Sequence, residues 1–173
     1  DLMTLMLHDR DAFARWEAGQ VMYRRTMKQA VCALRDQTAL PEIGSLVRVL
    51  QQLMQQDMDM ALLALMLNVP SEQEIWDQDF AQLDPTLLWQ AREWLINSIA
   101  KPCLQELSAL RQKVQERELH SGVENIQDYH PLLANIRSLN NTVRQYLPRA
   151  QPEILTYFKL QYTALATNMT HEW

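Results

Sequence analysis

The stretch HDRDAFARWEAGQVMYRRTMKQAVCAL, residues 8–34, decides the fold class, because its apolar side chains recur at every third or fourth position. That spacing places them on one face of an amphipathic α-helix. The face consists of Phe13, Trp16, Gln20, Tyr23, Met27, Val31 and Leu34. We therefore predict a long helix that packs its apolar face against neighbouring helices.

His8, Asp9 and Asp11 precede this helix and admit two interpretations. A carboxylate at a helix start accepts hydrogen bonds from first-turn amides and opposes the positive end of the helix dipole, so Asp9 or Asp11 is a candidate N-cap. The three side chains could instead bind a metal ion. A zinc site needs three or four convergent donors, however, and this stretch offers one imidazole. We favour the helix cap.

Composition supports a helical chain without a nucleic-acid or membrane role. The chain has 173 residues, 47% of them hydrophobic, which suits one domain or a large part of one. Its three glycines are too few for a sheet with many tight turns. A net charge of −5 without a basic stripe argues against nucleic-acid binding. Two distant cysteines, with neither a signal peptide nor a long apolar run, favour the cytoplasm.

Further apolar stripes predict about six more helices. One face contains Ile43, Leu46, Val47, Leu50, Leu53 and Met54, and DMDMALLALML, residues 57–67, predicts a short buried helix. The capping-box spacing of Ser71 and Glu74 predicts the start of a fourth helix. Asp84 and Pro85 then open the longest helical pattern, residues 83–118, which Pro102 should kink or break.

The C-terminal third predicts two more helices after a polar connector at residues 120–130. LPRAQP, residues 147–152, should form a turn between them. The first of these helices has a face formed by Leu132, Leu133, Ile136, Leu139, Val143 and Tyr146. The second has a face formed by Leu155, Phe158, Tyr162 and Leu165.

Seven or so helices with short connectors predict an all-α fold, an irregular α-solenoid or superhelical array of antiparallel helices, over one region of residues 1–173. No fixed period of about 34 or about 40 residues is present, which argues against tetratricopeptide or regular HEAT arrays. The residues expected in the core are Phe13, Trp16, Leu50, Leu65, Trp94, Leu107, Ile136 and Phe158.

Candidate catalytic residues are few. Glu116 and His120 share a helical face, but such a pair at the end of a charged run is more often a solvated surface. Cys32 and Cys103 lie within apolar stripes and are most simply core residues. His171 and Glu172 match the opening of the zinc-binding HExxH motif, but a helix start capped by Thr170 explains them better.

Four sequence blocks together resemble the start of the helical C-terminal domain of bacterial aminopeptidase N, a thermolysin-like zinc aminopeptidase. They occur in the same order and at approximately the same spacing as in that family, and they cover nearly the whole chain. The blocks are HDRDAFARWEAGQ, LNVPSEQEIW followed by LDPTLLWQAREWL, IRSLNNTVRQYL, and ATNMTHEW. Residues 1–7 resemble the last segment of a preceding β-sandwich domain, or the passage out of it.

The resemblance implies that this chain is part of a larger zinc aminopeptidase. The family's zinc helix and substrate-amine segment lie in an upstream catalytic domain, and this chain would contribute helices to a lid that covers the active site and restricts access. Zinc would belong to the parent enzyme, and the partners would be the catalytic domain, the remaining helices and peptide substrates. The resemblance assigns no catalytic, cofactor-binding or metal-binding residue to this chain.

A different function class also fits the helical pattern. A stand-alone interaction module would bind proteins or peptides in grooves between its helical hairpins. An HExxH motif encoded several hundred residues upstream of His8 would favour the aminopeptidase.

Overall fold

The computed structural model describes residues 1–79, 84–120 and 131–165, and these residues are almost entirely helical. This confirms the predicted all-α fold. The helices are α1 (Leu2–His8), α2 (Ala12–Asp36), α3 (Gly44–Gln55), α4 (Met60–Leu67), α5 (Glu72–Asp79), α6 (Pro85–Ala100), α7 (Leu104–Leu119), α8 (Pro131–Ala150) and α9 (Ile154–Leu165). In these ranges, no helix is both long enough and apolar enough to cross a membrane.

The predicted helix starts depend on carboxylates that accept backbone hydrogen bonds. Asp11 caps α2 by accepting from the Phe13 amide at 3.0 Å, so the opening polar cluster is part of a helix start. Asp84 caps α6 with Pro85 in its first turn. At α5, the Glu74 carboxylate accepts from the Ser71 amide at 2.7 Å, and the Ser71 hydroxyl accepts from the Glu74 amide at 3.3 Å, which completes the predicted capping box.

Helix α1 occupies residues for which the sequence predicted the end of a β-sandwich or the passage out of it. The segment is helical and packs on α2 and α3. The Met6 side chain lies so close to Gly19 that a Cβ there would be 3.2 Å from Met6 Cε. Arg15 Nε donates to the Met6 carbonyl at 3.0 Å, and Gln56 Nε2 to that of Leu7 at 3.1 Å. A link to a preceding domain stays a prediction.

Proline acts differently at two positions. The predicted break at Pro102 is confirmed, since α6 ends at Ala100 and α7 begins at Leu104. The predicted turn at residues 147–152 is wrong in its first half, because α8 continues through Pro148 to Ala150. Pro148 removes one backbone donor, but the buried Leu147 holds the last turn in place, and its carbonyl accepts from the Gln151 amide at 2.8 Å.

Helices α2, α4, α6 and α8 form the centre of the core. Helix α4 contacts both α2 and α8, and α6 also contacts both. The pairs α1–α2 and α7–α8 are neighbours in sequence, as expected for helical hairpins, whereas α2–α6 and α4–α8 join distant segments. This mixture of local and distant pairs agrees with the predicted irregular array.

The expected core residues divide into three groups. Leu50, Leu107, Ile136 and Phe158 are buried, and Trp16 and Trp94 are half-buried. Phe13 and Leu65 were expected inside, but are 62% and 54% exposed. Phe13 lies in the first turn of α2, where its ring contacts that of Trp16 and little else covers it. Nearly every side chain of α4 is apolar, so periodicity could not identify Leu65 as the outward position.

Side chains from three helices bind the carbonyl groups of residues 66–70, the Met66–Pro70 segment, which comprises the last two residues of α4 and the first three that follow it. The Tyr23 hydroxyl donates to the Met66 carbonyl at 3.0 Å, and the Tyr146 hydroxyl to the Leu67 carbonyl at 2.6 Å. Gln20 Nε2 donates to the carbonyl of Asn68 at 3.3 Å. Arg92 donates through Nε to Pro70 at 3.0 Å and through Nη2 to Val69 at 3.5 Å.

These donors satisfy polar backbone groups that a helix end leaves without partners in its own helix. Both tyrosines are fully buried, and desolvation raises the pKa of each phenol, so they stay neutral donors. The Met66–Pro70 segment therefore connects α2, α6 and α8 by directed hydrogen bonds, in addition to their apolar contacts.

Replacing Tyr146 with phenylalanine should lower the free energy of unfolding by about 1–3 kcal/mol, because the buried Leu67 carbonyl loses its donor. Tyr157→Phe is the matched control, since Tyr157 is exposed and its hydroxyl accepts a longer, 3.4 Å hydrogen bond from Gln115. The control should change stability by less than about 0.5 kcal/mol. Urea denaturation measures both. Equal losses in the two variants would contradict the importance of the Tyr146 bond.

Because of the capping box of α5, the free energy of unfolding should depend on pH in the acidic range. Hydrogen bonds from the Ser71 backbone amide, and then from its hydroxyl, lower the pKa of Glu74. A carboxyl whose folded pKa lies below its unfolded value stabilises the fold above the unfolded value, and this contribution is lost as pH falls through the folded value. Glu74→Gln should therefore flatten the loss of stability below about pH 4.5. Glu17→Gln, an exposed change on α2, should leave the acid limb of a denaturation series unchanged.

Candidate functional site

A cleft of about 520 Å³ opens between α6, α8 and α9. Its volume lies within the range of small-molecule sites. Three arginines and no carboxylate line it. The lining residues are Arg92, Ile96, Asn141, Arg144, Gln145, Pro148, Arg149, Leu155 and Phe158.

Two of the arginines are held in fixed positions by protein acceptors. Arg92 is anchored by the carbonyls of Val69 and Pro70. Arg149 Nη2 lies 2.9 Å from both carboxylate oxygens of Glu93, and its Nη1 donates to the Gln145 carbonyl one turn earlier. These contacts use part of the donor set, because each guanidinium carries five N–H groups.

The third arginine, Arg144, belongs to a stack of cations and aromatic rings. Its guanidinium lies 5.1 Å from the centroid of the Phe158 ring, and Arg111 lies 5.1 Å from the same centroid and 4.6 Å from that of Tyr157. These contacts attach α9 to α7 and α8. Desolvation, and secondarily the charge of Arg111, lowers the pKa of Arg144, while Glu118 opposes this effect. Partial burial therefore destabilises the charged form of Arg144.

The polar residues His8, Asp9 and Asp11 lie where α1 ends and α2 begins. Asp11 caps α2, and Asp9 accepts a hydrogen bond from the Asp11 amide at 2.8 Å. His8 forms the last turn of α1 and lines a separate shallow groove between α1 and α3. Across residues 1–79, 84–120 and 131–165, no three His, Cys, Asp or Glu side chains gather into a group that could hold a metal ion.

Glu116 and His120 make hydrogen bonds to different groups. His120 ends α7, and its Nδ1 lies 2.6 Å from the backbone carbonyl of Glu116, whereas the Glu116 carboxylate accepts from Gln112. His130 and the stretch His171–Trp173 lie outside the described residues.

The cysteines differ from each other in environment. Cys103 is buried, as predicted, and burial followed by the charge of Glu106 raises its pKa to about 12, so it is a poor nucleophile at neutral pH. Cys32 is half-buried and borders a cleft between the end of α2 and the segment before α3, so it is only partly a core residue.

Sequence reasoning missed the arginine-lined cleft, because its arginines looked like scattered surface charges. One signal was available. Arg144 and Arg149 are five residues apart in a helix that contains no acidic residue, so positive charge collects on α8. Nothing in the pattern indicated that Arg92 of α6 would join them.

Comparison with known proteins identifies the fold family. The family model described as a domain of unknown function with ARM repeats (DUF3458_C) matches residues 1–173. The chain belongs to this family. ARM repeats are stacked helical units, so membership in DUF3458_C agrees with the array of helices seen here.

A solved structure has the same fold. Aminopeptidase A from Legionella pneumophila, crystallised in complex with aspartic acid, superposes with a TM-score of 0.80 over 98% of this chain at 21% sequence identity. The chain spans 20% of the length of that protein. Together the two matches confirm the resemblance to the helical C-terminal domain of an aminopeptidase that the sequence blocks indicated.

The ion pair beside the cleft should be energetically coupled. In a double-mutant cycle of Glu93→Gln and Arg149→Met, the coupling energy should be about 1 kcal/mol, because both side chains are only 28% exposed. The exposed pair Arg35–Asp36 is the control and should give a smaller coupling energy. Urea denaturation of the single and double variants measures both cycles. Equal coupling energies would show that partial burial adds nothing to the Arg149–Glu93 pair.

Proposed function

We propose that this chain is part of a zinc aminopeptidase that removes N-terminal residues from peptides, and that its helices form part of a lid over the active site. The observation that carries the proposal is the superposition of 98% of the chain on one fifth of an aminopeptidase. The four sequence blocks support it independently, because they resemble the corresponding helical domain of aminopeptidase N.

The proposal assigns different roles to this chain and to the rest of the polypeptide. Peptide hydrolysis by zinc needs about three protein ligands, an open position for water and a carboxylate base. The described residues gather no such set, so zinc and its ligands would belong to an upstream catalytic domain. This chain would supply rigid helical walls that restrict the access of substrates.

The partners we propose are the catalytic domain, the remaining helices of the same polypeptide and the peptide substrates. We propose the cytoplasm as the compartment, because Cys32 of α2 and Cys103, which lies in the turn before α7, are both free thiols. A net charge of −5 makes nucleic acid an unsuitable partner.

The alternative, a stand-alone interaction module, draws support from the exposed ring of Phe13, whose centroid is 5.6 Å from that of the half-buried Trp16. Exposed aromatic residues are frequent in protein interfaces. The flanking coding sequence separates the two functions, since only the aminopeptidase requires an upstream HExxH motif.

The chain by itself should hold no stoichiometric zinc and hydrolyse no aminoacyl substrate, whereas the complete enzyme should do both. Metal analysis after dialysis and a chromogenic aminoacyl substrate test the two claims together. In the complete enzyme, kcat/KM should also fall with increasing peptide length, because the lid restricts entry.

Two results would contradict this division of labour. One is a tightly bound zinc ion in the isolated chain that is lost in His171→Ala. The other is a complete enzyme that cleaves long and short peptides equally well, which would remove the lid role but leave the aminopeptidase assignment intact.

A further inference from the structure

In the arginine-lined cleft, Arg92 and Arg149 each carry guanidinium N–H groups in addition to those that anchor them to the protein. Arg92 makes two hydrogen bonds, through Nε and Nη2, and both acceptors are neutral carbonyls. Arg149 uses Nη1 and Nη2, and its Nε–H is not engaged by Glu93. The anchoring contacts hold each guanidinium in place, so its remaining N–H groups are organised before any ligand arrives.

The charge of the cleft favours an anion. Its lining contains Arg92, Arg144 and Arg149 and no carboxylate, and Glu93, which neutralises Arg149, lies outside the lining. Partial burial lowers the pKa of Arg144, while attraction by Glu118 opposes this effect and outweighs the repulsion by Arg111. A bound anion would stabilise the charged form of Arg144 in this environment.

The remaining walls are apolar. Ile96 and Phe158 are almost fully buried, and Pro148 and Leu155 complete the apolar part of the lining. A bare inorganic anion would leave these side chains without a contact. A ligand that combines one anionic group with an aliphatic or aromatic body would contact both parts of the cleft.

We propose that the cleft between α6, α8 and α9 binds a carboxylate carried on an apolar side chain, with Arg92, Arg144 and Arg149 around the carboxylate and Ile96, Leu155 and Phe158 against the apolar body. Such a group occurs at the C-terminal residue of a peptide and in a free small carboxylic acid. Guanidinium groups suit it because their planar donor geometry matches a carboxylate. The proposal follows from the cleft itself and is independent of the aminopeptidase assignment.

Isothermal titration of the 173-residue chain with N-acetyl-leucine and with N-acetyl-leucinamide tests the proposal. The two probes differ only in the carboxylate, so the acid should bind at least about tenfold more tightly, as expected for a charge-assisted hydrogen bond. Acetate, which lacks the apolar body, should bind more weakly than N-acetyl-leucine. Equal affinities for the acid and the amide would overturn the proposal.

Variants identify the residues responsible. Arg144→Gln should weaken binding of N-acetyl-leucine at least about tenfold, and Arg144→Lys should restore part of the affinity. Arg25→Gln, an exposed arginine on α2, is the matched control and should have no effect. Equal losses in Arg144→Gln and Arg25→Gln would show a nonspecific effect of charge and would also overturn the proposal.

A measurement on the unmodified chain covers the case in which Arg144→Gln disturbs the packing of α9. Addition of N-acetyl-leucine should shift the NMR signals of the Nε–H groups of Arg92, Arg144 and Arg149, while that of Arg25 stays in place. Absence of these shifts at saturating ligand would overturn the proposal. A third probe, acetyl-Ala-Ala-Leu, separates the two sources: tighter binding than N-acetyl-leucine supports a peptide C-terminus, and equal or weaker binding supports a small free acid.

Discussion

The Met66–Pro70 segment imposes the constraint on which the rest of the fold depends. Its carbonyl groups lie inside the protein, where a polar group without a hydrogen bond is costly. Tyr23, Tyr146 and Arg92 reach it from α2, α8 and α6, and each must occupy a particular place to donate. Apolar contacts alone would tolerate small shifts of these helices, whereas directed hydrogen bonds do not. The Met66–Pro70 segment thus fixes the arrangement of the central helices.

The same segment also links the core to the arginine-lined cleft. Arg92 donates to the Met66–Pro70 segment and lines the cleft, so the position of one cleft donor follows from the packing of the core. The guanidinium groups of Arg111 and Arg144 both contact the Phe158 ring, which attaches α9. In such contacts, the attraction between cation and ring offsets part of the desolvation cost of a charged side chain beside an apolar surface. The cleft is therefore as rigid as the helices that form it.

In the proposed aminopeptidase, this chain would contribute helical walls, and the catalytic groups would lie in another domain. Its cysteines and its described histidines have structural or solvated environments, and Cys103 is kept protonated by burial. Membership in an ARM-repeat family fits a framework of stacked helices. In the proposed aminopeptidase, these helices would govern which peptides reach the zinc ion.

The sequence by itself determined the helices, because caps such as Asp11 and Asp84 and the break at Pro102 act through local backbone chemistry. It could not determine that Leu65 faces outward, since α4 is apolar on every side, nor that α8 passes through Pro148. Only the tertiary structure determined which residues line the cleft. Arg92 and Arg149 lie on helices far apart in the chain, and the packing of α6 against α8 brings them to one cleft. Local periodicity describes which face of a helix is buried, but not which distant helix covers it.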